Sequence, residues 1–262
     1  MLNIFTLNKN LLINLVRRDI AVRYKESVIG LFWSFINPIL MLSVYTFVFS
    51  DVFKAKWSNE SGEKSEYAVI TFCGLIIFNF FAECLSRAPF LVIGNVNYVK
   101  KVVFPLELLS IVSACTALYH LLISLIVWVV FHSIFIGYPP ATIAYVPLLL
   151  IPLLLMTIGL SWVVASAAVY LRDLSHLIGS FLGVLIFLTP IFYPISAVPE
   201  SYKILIKLNV LAHLIEQMRS VMYYGNNINW SIWVVLMFVS TIIFIFGSWF
   251  FIKTKSGFSD VL

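Results

Sequence analysis

The chain has 262 residues, of which 61% are hydrophobic and only 11% charged, and its mean hydropathy is +1.01. A water-facing domain carries about a quarter charged residues, so this composition excludes a soluble globular protein and points to a lipid-facing surface. The formal net charge of +5 is dispersed along the chain rather than gathered in a patch, which argues against a nucleic-acid partner and reads as a topology signal.

A helix crossing the ~30 Å hydrocarbon layer needs about 20 apolar residues, so the chain has room for roughly six spans and no sizeable soluble domain. The opening residues 1–25 lack a compact apolar core followed by a small-residue cleavage site, so no cleavable leader is expected. Over residues 9–26, Leu12, Leu15, Val16 and Ile20 recur at helical spacing while Arg17, Arg18 and Lys25 take another face. That pattern predicts an amphipathic helix lying in the membrane interface.

Spans are then expected at about 31–53, 67–89, 106–136, 143–171, 177–193 and 230–252. The third and fourth are long enough to tilt or project beyond the bilayer, and Pro147 and Pro152 are expected to kink or end the fourth near its start. Between the last two spans, Ile204, Leu205, Leu208, Leu211, Ile215, Met218 and Met222 keep helical periodicity among Lys203, Lys207, Arg219, Glu200 and Glu216. One or two short re-entrant helices are expected there. The whole reads as one transmembrane domain over 1–262: an interface helix in 1–30, a six-span all-α bundle over 31–252 and a tail over 253–262.

Lys and Arg in the short connections set the orientation. Lys9, Arg17, Arg18, Arg23 and Lys25, then Lys100 and Lys101, then Arg172, then Lys253 and Lys255 all fall on one side of a six-span chain. The opposite loops lack such an excess: 51–66 holds three Lys against four acids, and 137–142 holds no charge. Both termini are therefore expected in the cytoplasm.

Catalytic and metal motifs are not visible. Gly62-Glu63-Lys64-Ser65 is not a phosphate loop, and His120, His132, His176 and His213 form no paired-ligand pattern. Cys73, Cys84 and Cys115 lie in apolar stretches without CxxC spacing and read as small buried hydrophobes. An intramembrane sugar or acyl transferase would need a cluster of acids or histidines at one membrane face.

One charge pair lies inside a span. Glu83 and Arg87 are four residues apart and share a helix face; they either neutralise each other to fix packing or form a gating contact that changes partner. Trp57, Trp230 and Trp249 sit where interfacial anchors belong. Trp33, Phe35, Tyr45, Phe187 and Tyr193 lie deeper and are candidates to line a pathway, since flat rings suit the C–H faces of sugars. Asn59-Glu60-Ser61 and Asn229-Trp230-Ser231 match the glycosylation sequon, a pattern too short to carry weight.

Several strings resemble one family. Arg23-Tyr24-Lys25 with Ser27, Gly30, Trp33 and Pro38 resembles the opening of type-2 ABC exporter permeases, in the branch that exports O-antigen, capsular polysaccharide and teichoic acid. Lys100-Lys101-Val102-Val103-Phe104-Pro105 with Glu107-Leu108-Leu109, Arg172-Asp173-Leu174, and Thr189-Pro190-Ile191-Phe192-Tyr193-Pro194 resemble later stretches of that branch, in its order. Asn209-Val210-Leu211 departs from the family's Asn-Pro-Leu.

The resemblance implies a homodimer of six-span subunits in a bacterial inner membrane, with a channel between them. It also implies two separate ABC ATPase subunits that hold the ATP and magnesium, so that this chain carries no cofactor of its own. Lipid-linked polysaccharide would be the cargo, O-antigen first, with capsule, teichoic acid and small-lipid or drug export as alternatives. The connection at 93–101 would be the coupling element, with Asn95, Asn97, Lys100 and Lys101 facing the ATPase. Arg172 and Asp173 would contact the ATPase or the amino-terminal helix, with Asp173 also capping the next helix; Arg17, Arg18, Arg23, Tyr24 and Lys25 would form the cytoplasmic gate.

The charge bias predicts that single cysteines at Lys9 and Lys255, in a background lacking the native three, are both shielded from an impermeant thiol reagent in intact cells. Labelling of one and not the other would require an odd number of spans.

Overall fold

The computed structural model describes residues 9–25, 30–52, 57, 64–100 and 104–262, apart from the side chains of Tyr24, Leu31, Phe49, Ser50, Asp51 and Lys64. Helices are the only regular structure among the described residues, which contain no strands. Helix α1 runs over Lys9–Tyr24, and α2 over Trp33–Tyr45 with a π-helical continuation over Thr46–Val52. Helix α3 spans Lys64–Arg87 and is followed by two short helices, α4 (Phe90–Ile93) and α5 (Val96–Lys100). Then come α6 (Leu108–Phe135), α7 (Val146–Tyr170) and α8 (Leu174–Leu188). Helices α9 (Lys203–Leu208), α10 (Val210–Met222), α11 (Trp230–Lys255) and α12 (Phe258–Val261) complete the order.

Four of these are long and apolar enough to cross a membrane: Ser65–Arg87, Leu108–Phe135, Ala141–Tyr170 and Trp230–Lys255. Trp33–Val48 and Leu174–Leu188 are apolar but shorter. The fifth span, expected to reach Tyr193, stops as a helix at Leu188. Pro190 cannot donate a backbone hydrogen bond and pushes Thr189 out of the helical region, to φ −99° and ψ 134°. In the fourth span the α-helix begins at Val146, after a 3-10 turn over Ala141–Tyr145, beside the first of the two prolines. Pro147 sits in the first turn of α7, where no donor is lost, and the helix runs unbroken through Pro152 to Tyr170.

Helix α3 is the centre of the bundle: every residue from Tyr67 to Phe78 is buried, packed by α6, α7, α8 and α10. Helix α11 is its opposite. Val234, Phe238, Ile242, Ile245, Trp249 and Ile252 are exposed at helical spacing, the stripe expected of a helix with one face in lipid. A second core closes the end where Leu11 and Leu262 lie. It joins Val92, Leu106, Trp162, Val169, Phe251 and Phe258 to Leu11, Leu12 and Tyr98.

Helices α7 and α11 pack most closely of all, because two glycines face each other. A Cβ on Gly247 would stand 2.1 Å from the Gly159 carbonyl oxygen, and one on Gly159 2.6 Å from that of Ile243. Small residues let membrane helices approach backbone to backbone. Gly247→Ala is therefore expected to destabilise the protein by about 1–3 kcal/mol through overpacking, seen as a lower melting temperature in detergent. Gly183→Ala on α8, where a Cβ meets nothing within 4 Å, should leave it unchanged or raise it.

Candidate functional site

Three features stand out: an ion-paired end, a polar cleft above it and a buried arginine at the far end. At the first, α1 lies across the ends of α3 and α6, held by side chains distant in sequence. Both carboxylate oxygens of Asp19 accept from Arg87 Nη2 at 2.7 Å. Arg23 donates to Glu83, and Arg18 to the Tyr98 hydroxyl at 3.0 Å. His120 Nδ1 lies 3.0 Å from both Glu83 oxygens and 3.1 Å from Arg23 Nη1, a carboxylate that only accepts and a guanidinium that only donates.

These pairings correct the expectation for the charge pair. Glu83 and Arg87 do not bond each other; each reaches back to α1, so the helix face they share serves as an anchor for that helix. Lys255 adds a further tie, to Glu107 at 2.9 Å, beside the Trp162 indole, which donates to the Glu107 carbonyl at 3.0 Å.

Next to this anchor the short helices α4 and α5 occupy the connection expected to couple. Asn95 bonds internally to the Leu91 carbonyl at 2.9 Å, whereas Asn97 and Lys100 are exposed. Arg17, Lys25, Arg172 and Asp173 are exposed as well. Among the described residues neither Arg172 nor Asp173 reaches α1. Asp173 precedes α8 but makes no side-chain cap; its backbone carbonyl takes the His176 and Leu177 amides instead. The Tyr24 side chain and all of Lys101 lie outside the described residues, as does the first sequon.

Between α2, α3 and α6 a cleft of about 640 Å³ opens from this end into the bundle. Trp33, Asn37, Met41 and Tyr45 line it at four-residue intervals along α2, Asn79, Glu83 and Ser86 along α3, and His120 and Ser124 along α6. Of the expected path-lining rings, Trp33 and Tyr45 face it. Tyr45 also packs on Phe192, 4.9 Å between centroids, and Phe192 on Phe187 at 6.0 Å. The Tyr193 hydroxyl donates to the Phe187 carbonyl at 2.7 Å, so Phe187 and Tyr193 belong to a neighbouring ring cluster. Phe35 does not line the cleft. A smaller cavity of about 270 Å³ lies under α1, lined by Arg18, Asp19, Arg87, Asn95 and Ser113; Arg87 Nη1 is buried without a partner.

The site that sequence reasoning missed is Arg219. Its side chain is fully buried and clamps the chain after α8: Nη1 donates to the Pro190 carbonyl and Nη2 to that of Ile191, each at 2.6 Å. Nη1 also reaches Glu216 at 2.6 Å, and Nε the Ile70 carbonyl at 3.4 Å. Trp57, expected as an interfacial anchor, instead covers the guanidinium, 4.3 Å from ring centroid to Cζ, a cation–π contact. Burial pushes the Tyr223 and Tyr224 phenols up, so both stay neutral nearby. The signal was present: Arg219 follows Ile215 by four residues and Leu211 by eight, on the apolar face of α10, where a charge is not free to meet water. Asn209 caps the same helix, accepting from the Leu211 and Ala212 amides at 3.0 and 3.3 Å and donating to Thr189 at 3.0 Å.

Apolar helices able to span a membrane, a charged anchor at one end and a polar cleft within the bundle are the features of a membrane-embedded helical protein. The chain belongs to the ABC-2 type transporter family, whose profile matches residues 10–223, from α1 through α10. It is thus a transport subunit rather than an enzyme. Two O-antigen export system permease proteins RfbA from Klebsiella pneumoniae are 28% and 27% identical to it, each over 97% of this chain and 95% of the relative. A protein of that name from Myxococcus xanthus is 26% identical over 82% of this chain and 81% of its own.

Replacing Arg219 by Met should cost about 3 kcal/mol or more, because it strands buried carbonyl oxygens without their donor. Glu216→Gln, which leaves the carbonyl clamp intact and alters a half-exposed pair, should cost under about 1 kcal/mol. Thermal unfolding in detergent measures both, and the reverse order would refute the clamp.

Proposed function

We propose that this chain is the membrane subunit of an ATP-driven exporter of lipid-linked polysaccharide, with O-antigen as its cargo. Two copies, each crossing a bacterial inner membrane six times with both termini in the cytoplasm, enclose the path between them. The shorter helices α2 and α8 complete the six spans, and α9 and α10 dip into the outer leaflet. An ABC-2 permease works with an ABC ATPase, and here two such subunits bind ATP and magnesium.

The observation that carries this reading is the attachment of α1. It is ion-paired to α3 through Asp19 and Arg23, and Arg18 bonds Tyr98 of α5. A partner that pushes on α5 therefore moves α1 and the ends of two spans together. Similarity to O-antigen export permeases over nearly the whole of both chains supports the choice of cargo. The exposed Asn97 and Lys100 face the ATPase, Lys101, next in sequence, is assigned to the same contact, and Arg172 and Asp173 supply a second one. ATP binding favours the open dimer only to the extent that these contacts are stronger in that state.

Reversing Lys100 and Lys101 to Glu is expected to abolish stimulation of the partner ATPase by this chain while membrane insertion is unchanged. Deletion of the chain should leave lipid-linked polysaccharide inside the cell and remove it from the surface. Unaltered surface polysaccharide in the deletion strain would sink the reading.

A further inference from the structure

We infer that the cleft between α2, α3 and α6 binds uncharged, polyhydroxylated sugar units of the cargo through the side-chain amides of Asn37 and Asn79. The inference rests on the exporter reading above and narrows it: the cargo is a neutral glycan, not a polymer of alditol phosphates.

The first observation is where α3 is open. This helix is buried from Tyr67 through Phe78, yet Asn79 is exposed, Glu83 half-buried and Ser86 exposed. The spacing of four and then three residues makes one stripe, and the cleft lies on it. Among the described residues neither the Asn79 nor the Asn37 carboxamide makes a hydrogen bond. An amide turned toward hydrocarbon without a partner costs several kcal/mol, so both positions fit a polar occupant. Each carboxamide offers two donors and an acceptor, the complement of a hydroxyl.

The second observation is the rings. Trp33 and Tyr45 stand at the two ends of the α2 stripe, separated by about 18 Å of helix axis at ~1.5 Å per residue. The exposed Trp33 can carry sugar C–H surfaces, with the Tyr45 edge not covered by Phe192 at the other end, while the amides between them read hydroxyls.

The third observation is charge. The two guanidiniums bordering the cleft are already matched, Arg23 by Glu83 and Arg87 by Asp19. A phosphate-bearing polymer would have to displace a carboxylate or lie beside it. Among the described residues Arg87 Nη1 is the one buried nitrogen of these guanidiniums without a partner; the exposed polar groups along the cleft between the rings are the neutral Asn37 and Asn79 amides.

The test uses the full-length protein with its ATPase in nanodiscs, with two probes of equal length: maltoheptaose and a heptamer of glycerol phosphate. Calorimetric titration should show maltoheptaose binding that added salt leaves unchanged. The Asn37→Leu/Asn79→Leu pair should weaken it about tenfold or more, and Asn→Gln at both positions should restore most of it. Leu is a good helix former and both sites are exposed, so the fold tolerates the change; thermal unfolding of each variant checks this. Tighter, salt-dependent binding of the glycerol phosphate heptamer, drawn to the unpartnered Arg87 Nη1, would overturn the inference. So would undiminished binding by the double Leu variant, or no binding of maltoheptaose at all. If the deletion strain still displays its polysaccharide, the exporter reading fails whatever the cleft binds; if export needs the chain but maltoheptaose does not bind, only the assignment of the cleft fails.

Discussion

A polar group inside an apolar helical bundle must find its partner within the protein, because hydrocarbon offers none. Most of what distinguishes this structure follows from that constraint. Arg219 is the extreme case: a guanidinium with no exposed surface, satisfied by carbonyls that the break after α8 leaves free. Pro190 ends the helix and strands acceptors; Arg219 supplies donors. The same logic places indoles and a phenol against stray carbonyls, as with Trp128 and Val69 at 2.9 Å, Trp233 and Leu148 at 3.1 Å, and Tyr67 and Phe192 at 2.9 Å.

The two ends of the bundle use this constraint differently. At the far end the bonds join a rigid guanidinium to backbone and are shielded by Trp57, so the segment after α8 is held against α3 and α10. At the end where α1 lies, the bonds join side chain to side chain and remain partly open, with Arg23 44% and Glu83 17% exposed. Pairs of that kind are individually weak and can be exchanged. The chemistry of the pairs thus differs between the two ends: backbone-clamped and shielded at one, side chain to side chain and partly open at the other.

The amphipathic character of α1 bears on both roles. Its apolar residues Leu11, Leu12 and Leu15 pack onto the bundle, while its basic residues divide between internal pairs and the surface. Arg18 and Arg23 turn inward to Tyr98 and Glu83, and Arg17 and Lys25 face out. One helix is thus tied by side chains to the short helix α5 and to the ends of α3 and α6.

Much of this was legible in the sequence. The long apolar runs, the amphipathic segments at 9–26 and 200–222 and the clustering of Lys and Arg mark helices to within a few residues, because apolarity and periodicity are local properties that burial rewards directly. The strings from Arg23-Tyr24-Lys25 to Thr189-Pro190 likewise mark the family. What tertiary structure alone decided is pairing. Glu83 was read with Arg87, four residues away on the same helix, but its partner Arg23 lies 60 residues off, and the partner of Arg87 is Asp19, 68 residues off. Arg219 meets the Ile70 carbonyl across 149 residues. A spacing of four shows which side chains could meet on one helix; only the packing of several helices shows which partner lies nearer, and no local pattern encodes that competition. Asn79 makes the same point: nothing local singles out this amide in an apolar run, and that it opens into a cleft depends on where α2 and α6 leave room.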